Sequence, residues 1–132
     1  MSRENVEVVR RFYEAWDRRD LDETVALLAG DFEFRPFGEW GDLQDVYQGH
    51  EGWRSFWTTW EGAWESVTVA IDRIEDLGDR LLSLVHFDRV GRPSGVQVSI
   101  AVDHIWTLRK GRVTRIEALR PAEALEAVGL RE

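Results

Sequence analysis

An α+β fold, helices first and strands after, is what this sequence predicts. In the first third, the apolar residues Val6, Val9, Phe12, Tyr13 and Trp16 recur at steps of three and four, the period of one helical face. From Ser66 onward, Val67, Val69 and Ile71 begin a long alternation of apolar and polar residues, the period of a strand. The two patterns are segregated along the chain rather than interleaved. That order argues for helices packed on one face of a curved antiparallel sheet.

Residues 3–18 read as the first helix. In "DLDE", Asp20 is an N-cap and Glu23 the acid three residues on, so a short helix over about 21–29 follows and stops at Gly30. "DFEFRPF" sets Phe32, Phe34 and Pro36 against Glu33 and Arg35, a short half-buried strand ended by its proline. A polar loop with Gly38, Gly41 and Gly49 leads to a third helix over about 50–63. "SVTVAIDRIED" is the next strand, and the acidic "EDLGD" at 75–79 turns the chain. Two long strands, "RLLSLVHFDRV" and "VQVSIAVDHIWTLR", are joined by "GRPSG". Lys110–Gly111 is a tight turn into "RVTRIEALR". Pro121 opens a last helical turn stopped by Gly129.

At 132 residues the chain is the size of one domain, 1–132, and 43% hydrophobic with 32% charged residues is an ordinary globular balance. It has no cysteine, so disulfides and thiolate metal sites are excluded. The net charge of −8 repels phosphate backbones and argues against a nucleic-acid partner. No apolar run approaches membrane-spanning length, and "MSRENVEVVRRFYEAW" lacks the apolar block of a secretory signal. These features predict a soluble cytoplasmic protein with no membrane partner.

A curved sheet closed by helices makes a cone, and such a cone commonly holds a pocket. The stretches "VVRRFYEAWDRRDLDETVALLAGDFEFRP", "YQGHEGWRSFW" and "HIWTLRKGRVTRIEALRPAEALEAVGL", in this order, resemble the NTF2-like superfamily and its SnoaL-like branch. The resemblance covers nearly the whole chain. It implies an NTF2-like cone with three N-terminal helices on the concave face of the sheet. Homodimers formed through the outer face of the sheet are usual in this superfamily. The same cone serves polyketide cyclases, ketosteroid isomerases, epoxide hydrolases, dehydratases and non-catalytic modules, so the fold does not name the reaction.

Laid on the ketosteroid isomerases, this sequence puts Phe12 at the position of their helical tyrosine, with Tyr13 one residue off, about 100° round the helix. Their carboxylate base falls at Pro36, flanked by Arg35 and Phe37, and their late-strand acid falls at His104. None of the three groups is kept. The aspartate acid/base of SnoaL-type cyclases has Asp103 as its nearest carboxylate. Against the Asp–Arg–Asp set of epoxide hydrolases, Arg120 stands where a related ending carries its acid, and Ala118 replaces its tyrosine. No known reaction carries over.

His104 is the most informative polar residue. In its strand Val96, Val98, Ile100, Val102, His104, Trp106 and Leu108 form the apolar face, so period two turns His104 and Trp106 inward. A histidine there either titrates and does acid–base work or is a hydrogen-bonded structural or ligand-contact residue. A two-residue turn at Lys110–Gly111 sets Glu117 opposite His104 as a dyad. A three-residue turn with a bulge sets Ile116 opposite and turns Ala118 and Arg120 inward, as the resemblance implies. His86 shares the face of His104 if the "GRPSG" loop has five residues, and Phe87 takes its place if it has four. The two histidines have no clear third ligand, so no metal is expected. His50 reads as a surface or capping residue, and Asp103 and Arg35 as solvated surface or a subunit contact.

"WRSFWTTWEGAW" holds four of the seven tryptophans, at 53, 57, 60 and 64. Their spacing is that of a buried stripe. Yet each indole N–H needs a partner when buried, which aliphatic cores avoid. With Phe12, Trp16 and Trp106 nearby, the rings suggest an aromatic cavity. Trp53 and Phe56 are read as core, Trp57 and Trp60 as walls, and Trp64 as the rim at the helix end. The site expected from all this has His104 and His86 as catalytic candidates. Its ligand-binding candidates are Phe12, Trp16, Phe34, Trp57, Trp60, Trp106, Ala118 and Arg120. The expected function is binding of a small hydrophobic or aromatic metabolite, with or without cofactor-independent isomerase, cyclase or dehydratase chemistry. The alternative is a non-catalytic dimeric module.

Overall fold

The computed structural model describes residues 2–36, 44–92 and 94–120. Three helices, α1 (Ser2–Asp17), α2 (Leu21–Ala26) and α3 (Gly49–Gly62), pack on one face of a curved, unclosed six-stranded sheet. Its strands are β1 (Leu28–Arg35), β2 (Tyr47–Gln48), β3 (Trp64–Asp76), β4 (Leu81–Gly91), β5 (Gln97–Arg109) and β6 (Arg112–Leu119), in the order β2-β1-β6-β5-β4-β3. Neighbouring strands run antiparallel except β1 and β6, which are parallel.

Asp20 caps α2 by accepting from the Glu23 amide at 3.1 Å. The helix ends three residues earlier than a stop at Gly30 suggested. Leu28 already pairs with Val113 in β6, whose amide donates to the Leu27 carbonyl at 2.9 Å. Leu27, Leu28 and Ala29 are all buried, and sheet pairing satisfies their backbone where another helical turn would not. Gly30, read as a helix stop, therefore lies inside β1. The segment before α3 includes a short strand, β2, where a polar loop was expected. It sits so close to α3 that a Cβ on Gly52 would fall 2.8 Å from the Tyr47 carbonyl carbon. Phe37, Gly38, Gly41 and the predicted last helix from Pro121 lie outside the described residues.

Two turns decide which side chains face the helices. Lys110 and Gly111 have φ of 53° and 76°, a two-residue turn of the mirror-image type that suits hairpin twist. The register then slips: Leu108 pairs with Val113, but Thr107 pairs with Arg115. Thr114 is thus an extra, bulged residue, and His104 comes to lie opposite Ala118. Neither expected register is formed: the two-residue turn occurs, but the bulge cancels the dyad it would have made. Glu117 pairs with Ile105 in the ladder, and its carboxylate lies 3.5 Å from Arg115. At the other hairpin the Gly91 amide donates to the Val96 carbonyl at 2.9 Å and Val90 pairs with Gln97, the register expected of a four-residue loop. Phe87, not His86, therefore shares the face of His104.

The core between helices and sheet is built from aromatic rings. Phe12, Trp53 and Trp106 are fully buried and in mutual contact through Phe12, with centroids 5.3 Å apart in both pairs. Edge-to-face and tilted packing of this kind adds to the gain from apolar burial. Trp64 is not the end of the tryptophan helix. It opens β3, and its buried ring lies 4.2 Å from the Arg89 guanidinium in a cation–π contact. A second apolar cluster, Leu82 and Ile105 flanked by Leu77, Leu84 and Leu119, lies on the opposite face of the sheet.

Candidate functional site: a histidine at the wall of an aromatic cavity

His104 lies in the middle of β5, paired across the sheet with Ser83 on β4 and Ala118 on β6. α1 lies across this point and brings Tyr13 down onto it. Phe12 and Tyr13 are successive residues, yet both are buried, because the buried face of α1 is wide enough to take both directions. The Tyr13 hydroxyl lies 2.5 Å from His104 Nδ1 and 2.7 Å from Ser83 Oγ. Trp106 Nε1 donates to the same Ser83 Oγ at 2.8 Å. Ser83 Oγ is also 3.5 Å from the His104 carbonyl. The N–H of Trp106 is thereby satisfied inside the core, as that of Trp53 is by Thr24 Oγ1 at 2.9 Å.

Burial governs the protonation of this network. It pushes the His104 imidazole down from its ordinary 6.5 to about 3, so the ring is neutral at physiological pH. It pushes the Tyr13 phenol far up, opposed by the hydrogen bonds from Ser83 and Trp106. Both groups are therefore neutral hydrogen-bonding partners rather than ions.

Beside His104 is a cavity of about 60 Å³ that opens to the surface. That is room for a few waters or for one end of a larger ligand. Trp16, Phe34, Trp60, His104 and Ala118, all singled out from the sequence, border it. Phe12, Trp57 and Trp106 do not; they are buried behind the wall. Arg120 follows β6, is exposed, and does not border the cavity. Trp53 is core, as read, whereas Phe56 borders the cavity in place of Trp57. The wall-forming stripe of α3 is thus Phe56 and Trp60, one turn apart.

His86 points away from the cavity. Its Nδ1 lies 3.0 Å from Asp72 Oδ2, and this hydrogen bond raises its pKa. Because it occupies the face opposite His104, the two histidines share neither a ligand nor a metal. His50 Nε2 reaches the Leu28 carbonyl at 3.1 Å near the start of α3. Arg35 Nε donates to Glu33 at 2.6 Å on the surface.

Residues 9–116 match the family model of the SnoaL-like domain. The chain belongs to the SnoaL-like family. Among solved structures it is similar to an NTF2-like protein of unknown function from Burkholderia pseudomallei, at 26% identity, TM-score 0.80, covering 95% of this chain and 97% of that one. It is similar to TerC co-crystallised with polyporic acid, at 22% identity, TM-score 0.78, over 95% and 97% of the two chains. It is also similar to a putative polyketide cyclase from Xanthomonas campestris, at 18% identity, TM-score 0.75, over 97% and 96%. No curated protein matches the chain. These likenesses establish the SnoaL-like, NTF2-like fold, and the varied names on it leave the reaction to be argued from the site.

Two charged residues of this SnoaL-like chain are buried. Arg89 borders the cavity although only 7% exposed, and burial lowers its pKa to about 10. The β4–β5 register that turns Phe87 inward turns Arg89 inward with it, two residues along the strand. Asp103 was expected on a solvated face and is instead 1% exposed. It stands between Leu84 and Leu119 in the ladder, on the face of the second apolar cluster. Burial raises its pKa, and its Oδ2 has no hydrogen-bond partner among the described residues.

Proposed function

We propose that this chain binds a small, largely apolar metabolite in the cavity between its helices and the sheet, with His104 as the polar anchor. The observation that carries this reading is the cavity wall itself: aromatic rings and aliphatic side chains around a buried, neutral imidazole. Ligand-bound structures of the same fold, with polyporic acid or trimethylamine, support it. An acid–base or donor-assisted reaction of the isomerase, cyclase or dehydratase type is the catalytic extension. It is supported by the direct bond between two titratable groups, Tyr13 and His104, at the cavity wall. Residues 1–132 act in this reading as a single domain without a cofactor.

The test is tryptophan fluorescence against a panel of aromatic and alicyclic ligands. Saturable quenching that is lost in Trp60→Ala is the expected result. No response to any member of a broad panel would remove the reading.

The second reading is a non-catalytic dimeric module. It is favoured by the small volume of the cavity, about 60 Å³, which holds only one end of a larger ligand. Sedimentation velocity of the purified chain, together with the ligand panel, separates the two. A dimer that binds nothing would support the module.

A further inference from the structure

The hydrogen-bond network beside the cavity has few protons to distribute. Trp106 Nε1 is only a donor, so Ser83 Oγ accepts from it at 2.8 Å. Ser83 and Tyr13 each have a single hydroxyl proton. In one arrangement Ser83 donates to Tyr13 at 2.7 Å, and Tyr13 donates to His104 Nδ1 at 2.5 Å. In the other, the order is reversed: His104 carries its proton on Nδ1 and donates to Tyr13, which donates to Ser83. The Ser83 proton is then left to the His104 carbonyl at 3.5 Å, the outer limit of a hydrogen bond.

The first arrangement is favoured because it places every proton in a short contact, whereas the second leaves the Ser83 proton at the limit of a hydrogen bond. The imidazole proton must then sit on Nε2. No described residue hydrogen-bonds Nε2, and the ring borders the cavity with Trp16 stacked 6.1 Å away. Trp16 Nε1 is itself buried with no acceptor among the described residues.

We propose that the chain Trp106–Ser83–Tyr13 fixes His104 as its Nε2–H tautomer, and that this N–H is the donor for a carbonyl oxygen of the bound metabolite, a neutral ketone, quinone or lactone. This rests on the binding function proposed above and names its ligand class. The reversed tautomer would present a bare nitrogen and select a hydroxyl or amine instead. Tyr13 is in this scheme a positioning residue: it sets which edge of the imidazole is the donor.

Long-range ¹H–¹⁵N spectra of the labelled full-length protein read the tautomer directly. His104 should show a pyridine-type Nδ1 and a pyrrole-type Nε2. The reverse pattern overturns the proposal whatever the protein binds. The seven tryptophan indole N–H signals then report titration with acetophenone and with α-methylstyrene, the same shape with a methylene in place of the carbonyl oxygen and so no acceptor. Acetophenone should bind roughly five- to tenfold more tightly, the worth of one hydrogen bond. In Tyr13→Phe, checked for folding by its amide spectrum, the tautomers should mix and the preference should shrink. Equal binding of the two probes to the wild-type chain overturns the donor assignment and leaves the binding function intact. Silence from both counts against the binding function and takes this inference with it.

Discussion

The Tyr13 hydroxyl and His104 Nδ1, 91 residues apart in sequence, meet at 2.5 Å in the buried layer between α1 and the sheet. The contact joins the helix to the middle of β5 at the wall of the cavity. Neither residue can leave it without stranding a polar group, since both are at least 98% buried. Tyr13→Phe keeps the ring and deletes the hydroxyl. It leaves Nδ1 and the Ser83 proton without their short partners, so the expected loss is about 1–3 kcal/mol of folding stability. Urea denaturation measures it. An unchanged midpoint and slope would show that the network contributes nothing to the fold.

Acid should weaken the protein through His104. Its folded pKa of about 3 lies below the ordinary 6.5 of an unfolded histidine. Between these values the unfolded chain binds a proton that the folded chain does not, so stability falls as the pH is lowered. This contribution is complete above about pH 6.5 and is lost progressively towards pH 3, at up to about 1.4 kcal/mol per pH unit. Comparing chemical denaturation at pH 7 and pH 5 in the wild type and in His104→Phe isolates it. A wild-type pH dependence no steeper than the variant's would refute the neutral, buried histidine.

Asp103 works with the opposite sign. Burial raises its folded pKa above the unfolded value, so its protonated form is favoured in the fold. Its contribution is therefore greatest below the ordinary carboxylate range and is lost as the pH rises through the folded pKa. At neutral pH the carboxylate is a cost, because one oxygen is buried without a hydrogen bond among the described residues. Asp103→Asn removes the charge at nearly constant shape and should stabilise the chain by about 1–3 kcal/mol at pH 7. A lower melting temperature for the variant at pH 7 would contradict this.

Trp53 and Trp60 lie two turns apart on the same helix and should respond differently to truncation. Trp53 is 0% exposed and hydrogen-bonded to Thr24, and Trp53→Ala should cost about 3–5 kcal/mol. Trp60 borders a cavity that already opens to the surface. Trp60→Ala enlarges that cavity where water can enter, so it should cost less stability while abolishing ligand response. Equal losses in thermal melts of the two variants would place Trp60 in the core as well.

The helical and strand periods were legible because they follow from burial of one face, and this is written into residue type. Phe32, Phe34, Trp53, Trp60 and Trp106 face where their spacing put them. What was not legible turned on single residues of backbone. The bulge at Thr114 and the β4–β5 register set at Gly91 and Val96 each shift a side chain from one face to the other. They moved Glu117 and His86 away from the cavity and Arg89 into it. Arg89 had no apolar signature to betray it, and Asp103 looked like surface because its neighbours in sequence do not show the cluster that covers it.

The sequence by itself determined that the helices fall in the first half of the chain and the long strands in the second, that the third helix is an aromatic stripe, and that His104 and Trp106 turn towards it. Only the tertiary structure decided what His104 touches. Hydrogen-bond partners are chosen by register and by how helices lie on the sheet, and these depend on contacts as distant as Tyr13 with Ser83, 70 residues on. A period of two or of 3.6 fixes the face a side chain occupies. It does not fix the neighbour it finds there.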